Sequence, residues 1–242
     1  MPELQSADSA AATTSRPCMA RRYLPLAGIV VFIAISILLL DEPIVRGTLE
    51  FRQAPVIVEL GEIAADLGDR LAVAAIAVLM ILTAGYRWKR LAPAVLVGLT
   101  SGSALVDGLK YLTGRVRPGD LDSLGVEPAF YGPGCPGNSF PSGHAMAASM
   151  LAVLAGVYFP RARLIAYTLA VFVGLGRIAL DRHFLSDVVA GATLGYLMAC
   201  LMLHWWPVPA SPDDTSDTGD TPKACSGAGT PERIGDVTTT DE

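Results

Sequence analysis

The sequence predicts an all-α integral membrane bundle of six transmembrane helices, and three observations lead there. Of 242 residues, 52% are hydrophobic and 17% charged, and the mean hydropathy is +0.45, too apolar for an ordinary soluble domain. Apolar runs long enough to cross a bilayer recur between short polar breaks. Basic residues gather at alternate breaks, as the preference of Lys and Arg for the cytoplasmic face requires.

The elements follow in order. Residues 1–22 are polar and read as a disordered cytoplasmic N-terminus. Tyr23 to Leu40 is an unbroken apolar run, about 27 Å long as helix, which nearly crosses a ~30 Å hydrocarbon core. A cleaved signal peptide is the rival, but the polar leader is long and Asp41-Glu42-Pro43 offers no small-x-small site. Residues 41–66 mix Pro, Gly and charge at amphipathic spacing and predict an outside loop with a short interfacial helix. Five further spans are expected over residues 71–86, 91–112, 142–159, 164–180 and 186–206, so the membrane domain covers 23–206.

The formal charge of −5 misleads. The last 33 residues hold eight acids and two bases, so the remainder carries a net +1. Residues 207–242, rich in Asp, Thr, Ser, Pro and Gly, read as a disordered acidic cytoplasmic tail. No basic patch points to nucleic acid. The four cysteines lack CxxC spacing, which argues against a thiolate metal site, and only Cys135 is expected on the outer face, so no internal disulfide is expected.

Arg16, Arg21 and Arg22 precede the first span, Arg87, Lys89 and Arg90 follow the second, and Arg161 and Arg163 follow the fourth. That bias puts the N-terminus, those loops and the tail in the cytoplasm. Three polar stretches then share the opposite face: Lys110 to Pro118, Asn138 to His144, and Arg177 to Asp187. Their basic residues run against the trend, which suits anion binding. Pro141-Ser142-Gly143 offers a fixed φ, a capping hydroxyl and a residue without Cβ, an opening for an anion at a helix N-terminus. An ordinary helix cap would need the same residues.

His183 is followed at i+4 by Asp187, which can hold one ring nitrogen and leave the other free as nucleophile or base. Arg177 lies six residues before His183, and a tight turn can aim both at one point. Its planar fork suits a tetrahedral oxyanion, and Lys110 and Arg117 add charge. Ser142 and Gly143 can present backbone amides, and His144 stands where a general acid is wanted. The bland alternative is lipid-headgroup anchoring, preferred for Arg115 and Arg182. Asp107 reads as structural, and His204 beside Trp205-Trp206 as packing.

These residues match a family pattern. Lys110 with six residues before Arg117-Pro118, then Pro141-Ser142-Gly143-His144, then Arg177 with five residues before His183 and three more before Asp187, resembles the three-part motif of the type 2 phosphatidic acid phosphatase superfamily. The resemblance covers residues 23–206. It implies that His183 attacks phosphorus and forms a phosphohistidine, that Asp187 orients it, and that His144 protonates the departing oxygen. Lys110, Arg117, Ser142, Gly143 and Arg177 would hold the phosphate, with no metal or other cofactor. Gly176 stands where the family commonly has Ser, which puts a minor phosphate contact in doubt.

The resemblance therefore implies a lipid phosphatase acting on phosphatidic acid, phosphatidylglycerol phosphate or undecaprenyl pyrophosphate, with its site on the extracytoplasmic face of a membrane, expected to be the bacterial inner membrane. A lipid A phosphatase is the narrower alternative, since Phe130, Tyr131 and Cys135 leading into Asn138-Ser139-Phe140 loosely resemble that subgroup. A non-enzymatic lipid transporter or scramblase is the rival from another class. It needs charge but no oriented imidazole, so the His183/Asp187 pair discriminates. The six spans and the lack of a large soluble domain disfavour a related vanadium haloperoxidase.

Overall fold

A computed structural model describes residues 19–51, 54–135 and 137–209, and every regular element among them is helical. The order is α1 (Met19–Ile35), a π-helical turn (Ser36–Leu40), α2 (Asp41–Phe51), α3 (Pro55–Leu67), α4 (Arg70–Thr83), α5 (Trp88–Thr113), α6 (Leu121–Leu124), α7 (Gly143–Tyr158), α8 (Arg163–Ala179) and α9 (Leu185–Trp205). One isolated bridge, Arg115 to Phe130, ties the loop after α5 to the segment before α7. The acidic tail lies outside the described residues apart from its first positions.

Four helical segments are long and apolar enough to cross a membrane: Ala27–Thr48, Gly85–Thr113, Pro160–Ala179 and Leu185–Trp205. The chain is thus an integral membrane protein by the character of its helices. Two of the expected spans are shorter. Arg70–Thr83 has 14 residues and Gly143–Tyr158 has 16, or about 21 and 24 Å of helix, less than a ~30 Å core. Both begin at a cavity wall, since Arg70 and Gly143 line the same hollow.

Where an outside loop with one short interfacial helix was expected over 41–66, residues 41–51 and 55–66 are helical. The first helix runs through the π-helical turn without a break into α2, and α3 follows, opened by Pro55 at its first turn. Proline there costs no intrahelical hydrogen bond, and its fixed φ suits the helix. The amphipathic spacing of residues 55–67 serves packing: α3 lies along α8, burying Gly61 and Ala64.

The core lies between α4, α5, α7 and α9, with Leu91, Val95, Met150, Leu154 and Tyr158 all fully buried. Helix α7 is central and packs on α8, α9 and α5. Close approach of α7 to α9 depends on Gly191 and Gly195, four apart on one face. A Cβ on either would collide with backbone of α7, at Ser142 and Met146 respectively. Small residues at that spacing let two membrane helices cross with their backbones nearly touching. The crossing brings the N-terminus of α7 against that of α9.

Candidate active site

Each of the three polar stretches is shaped by a local device. After α5 the chain turns at Gly114, whose φ of 55° suits glycine, and Arg115 is directed inward. Ser142 caps α7, its hydroxyl accepting from the Ala145 amide at 3.5 Å. Between α8 and α9 the Arg177 carbonyl accepts the amides of Arg182 (3.0 Å) and His183 (3.2 Å), closing the turn that folds His183 back over Arg177.

The result is a cavity of about 920 Å³ whose walls include Lys110, Arg117, Gly143, His144, Arg177 and His183. Six of the eight residues singled out in the sequence therefore line one hollow. Asp187 and Ser142 are fully buried behind it. The polar end continues into an apolar trough with Val73, Ala74, Leu99 and Ala147 on its walls. A second hollow of about 630 Å³ among α1, α7, α8 and α9 is apolar and contains none of these residues.

Asp187 sits at the third position of α9, where the helix dipole favours a carboxylate. Its Oδ2 accepts from the Phe184 amide at 2.9 Å and the Ser139 hydroxyl at 2.5 Å, and lies 3.6 Å from His183 Nδ1. Its Oδ1 accepts from Arg115 Nη1 at 2.6 Å. The Ser139 oxygen is also 3.5 Å from His183 Nδ1. With Nδ1 turned towards Asp187 and Ser139, Nε2 is the nitrogen left for chemistry. Burial holds the His183 pKa below its ordinary value, outweighing the carboxylate beside it. That shift favours the neutral imidazole at neutral pH.

Lys110, Arg117 and Arg177 face the cavity from three elements. Arg177 is 8% exposed, and its Nε has no partner among the described residues. Ser142 departs from expectation. Its backbone amide donates to the Asp187 carbonyl at 3.0 Å, so it is not available to an anion. The open amides of the first turn are those of Gly143 and His144. Ser142 instead fastens α7 to α9 beside the histidine.

Gly176 does not face the cavity. A Cβ there would run into Ala64 and approach the Gly61 carbonyl oxygen at 3.2 Å. Helix α3 occupies the space a serine would need, which accounts for the glycine.

Three polar residues of this region escaped the sequence reading. Arg115, expected at the headgroups, is 1% exposed and pairs with both Asp187 and Asp41. Ser139 and Asp41 are 0% and 2% exposed. The available signal was an ionisable residue, Asp41, ending an apolar run at membrane depth, where a charge needs a partner. Among the described residues no group of three or more His, Cys, Asp or Glu is placed as metal ligands would be.

Residues 91–209 match the model of the PAP2 superfamily. The sequence is 31% identical over 123 residues to a lipid A 1-phosphatase of Porphyromonas gingivalis, covering 49% of this chain but 24% of that one. It is 27% identical over 186 residues to a lipid A 1-phosphatase of Rhizobium etli, covering 67% of this chain and 75% of the relative. Among solved structures, a transmembrane PAP2-type phosphatidylglycerolphosphate phosphatase from Bacillus subtilis is similar, with a TM-score of 0.57 and 26% identity over 76% of this chain and 96% of that one.

Proposed function

We propose, for a chain that belongs through residues 91–209 to the PAP2 superfamily, that it is a membrane phosphatase removing a phosphate group from a lipid through a phosphohistidine on His183. The observation that carries this is the meeting of Lys110, Arg117, Arg177, His144 and His183 at one cavity, with Asp187 behind the histidine. A transporter that only passes headgroups has no use for an imidazole backed by a buried carboxylate.

In this mechanism the phosphoryl group sits among Lys110, Arg117, Arg177 and the first-turn amides of α7. These groups stabilise the charge on its oxygens as transfer proceeds. His183 Nε2 attacks phosphorus, and the bond to the lipid oxygen breaks as that oxygen takes a proton from His144. Asp187 holds the imidazole and stabilises its positive charge. Water then attacks phosphorus, giving up a proton to His144 and releasing phosphate and free His183. Fixed cations supply the charge that a metal would otherwise bring.

Six helices cross the membrane in this reading, α4 and α7 being short because they start at the site. The N-terminus over 1–22 and the tail over 207–242 lie in the cytoplasm, and the domain over 23–206 opens to the periplasm or exterior from the bacterial inner membrane. The apolar trough takes lipid chains while the headgroup reaches the cations. The leading substrate is a phosphorylated glycolipid of the lipid A 1-phosphate type, supported by the two relatives named for that activity. Phosphatidylglycerol phosphate is second, favoured by the solved structure that this chain covers almost fully. The test is phosphate release in detergent from these two lipids, phosphatidic acid and undecaprenyl pyrophosphate. His183→Ala should fold normally and release nothing; full activity in that variant rejects the mechanism.

A further inference from the structure

We propose that Asp41, on the first membrane helix, is a positioning residue for the His183/Asp187 pair and acts through Arg115. The inference rests on the reading of His183 as the nucleophile. It concerns a part of the chain that the matched residues 91–209 do not reach.

Asp41 follows the π-helical turn and is buried. Its carboxylate accepts from Arg115 Nη2 at 2.8 Å, from the Ser186 amide at 3.0 Å and from the Ser186 hydroxyl at 2.5 Å. The other arm of the same guanidinium, Nη1, reaches Asp187 Oδ1 at 2.6 Å and Ser186 Oγ at 2.7 Å. Two aromatic faces flank it, with Arg115 Cζ 3.9 Å from the Phe184 ring centre and 4.8 Å from that of Phe130. Arg115 is thus fixed at both ends and on its flanks, and Asp41 is the anchor at the far end. Without that anchor the fork is free to swing, and Asp187 loses the donor that sets its position beside His183.

Charge points the same way. The charged groups acting on His183 are Asp187 on α9, Arg177 on α8 and Lys110 on α5, so apart from Asp187 the imidazole is faced by cations. One guanidinium between two carboxylates leaves a net negative charge behind the ring, which favours positive charge on His183 as phosphorus bonds to it. With Asp41 neutral, Arg115 merely cancels Asp187. A fully desolvated carboxylate at membrane depth is expensive and is kept where it has work to do.

The test compares full-length protein in detergent with Asp41→Asn, Arg115→Gln and the double variant. Asp41→Asn should lower kcat about tenfold to a hundredfold, by analogy with loss of an outer-shell partner of a metal-bound histidine, with KM within about twofold. The acid limb of its pH profile should move to lower pH, because the imidazole protonates less readily beside one fewer negative charge. In the Arg115→Gln background, Asp41→Asn should cost clearly less than it does alone. Unchanged kcat, a loss confined to KM, an unmoved acid limb, or additive losses in the double variant would overturn the proposal. Should Asp41→Asn not fold, Asp41→Glu keeps the charge on a longer arm: reduced kcat with an unmoved acid limb supports the role, and wild-type kcat refutes it. His183→Ala separates the two claims, since activity in that variant sinks the phosphohistidine itself, whatever Asp41 does.

Discussion

Replacing Arg115 by methionine, which keeps the bulk of the side chain and removes its charge, tests the architecture behind the histidine. The wild-type guanidinium is 1% exposed and bonded to two carboxylates that are themselves buried. Breaking a buried ion pair by removing one partner costs about 3–5 kcal/mol, whereas losing an exposed pair costs about 0–1. The figure has a ceiling, because a carboxylate stranded without its cation can take up a proton instead. For an ordinary carboxylic acid of pKa about 3.9, protonation at pH 7 costs about 4 kcal/mol, and at pH 5 about 1.5. Arg115→Met is therefore expected to lose about 3–4 kcal/mol at pH 7 and about 1.5 at pH 5. Against a total of about 5–15 kcal/mol this is a large fraction. Reversible unfolding in mixed micelles, followed by tryptophan fluorescence at the two pH values, measures it. A loss under about 1 kcal/mol at both would mean that Arg115 sits at the headgroups, as the sequence first suggested, and the buried pairing would be wrong.

Three further outcomes are expected. Burial lowers the His183 pKa, so the acid limb of kcat/KM, where the nucleophile takes up a proton, should have its midpoint below 6.5; a midpoint above 6.5 would contradict this. The same shift has a stability sign: below pH 6.5 the unfolded chain takes up a proton that the folded imidazole refuses, so His183 makes the fold less stable on acidification. Phosphate release should survive EDTA, since Lys110, Arg117 and Arg177 supply the charge, and strict dependence on an added divalent ion would count against the mechanism. Gly176→Ser should destabilise by about 1–3 kcal/mol through overpacking against α3; gained activity at unchanged stability would show that position 176 faces the phosphate after all.

Much of the site was legible in the sequence because its parts are locally encoded. Ser142 announces a helix start through its neighbours, and α7 begins one residue later. The spacing from Arg177 to His183 and on to Asp187 sits within one turn and one helix start, so sequence distance translates directly into space. Span positions were equally readable, since the apolar runs that favour lipid are contiguous: the last two expected spans match α8 and α9 to within one residue at each end.

What the sequence alone determined was an all-helical membrane chain, the family to which it belongs, and the short list of cations and histidines with chemistry to offer. Only the tertiary structure decided which polar groups stand behind them. Asp41 and Arg115 are 74 residues apart and Arg115 and Asp187 are 72, so no local pattern links them, and an arginine bound for a buried pair reads like one bound for a headgroup. The extent of helix over residues 41–51 and 55–67 was only partly legible for a related reason. Their amphipathic spacing marks a helix but does not say whether its apolar face meets an interface or another helix distant in sequence, as α3 meets α8.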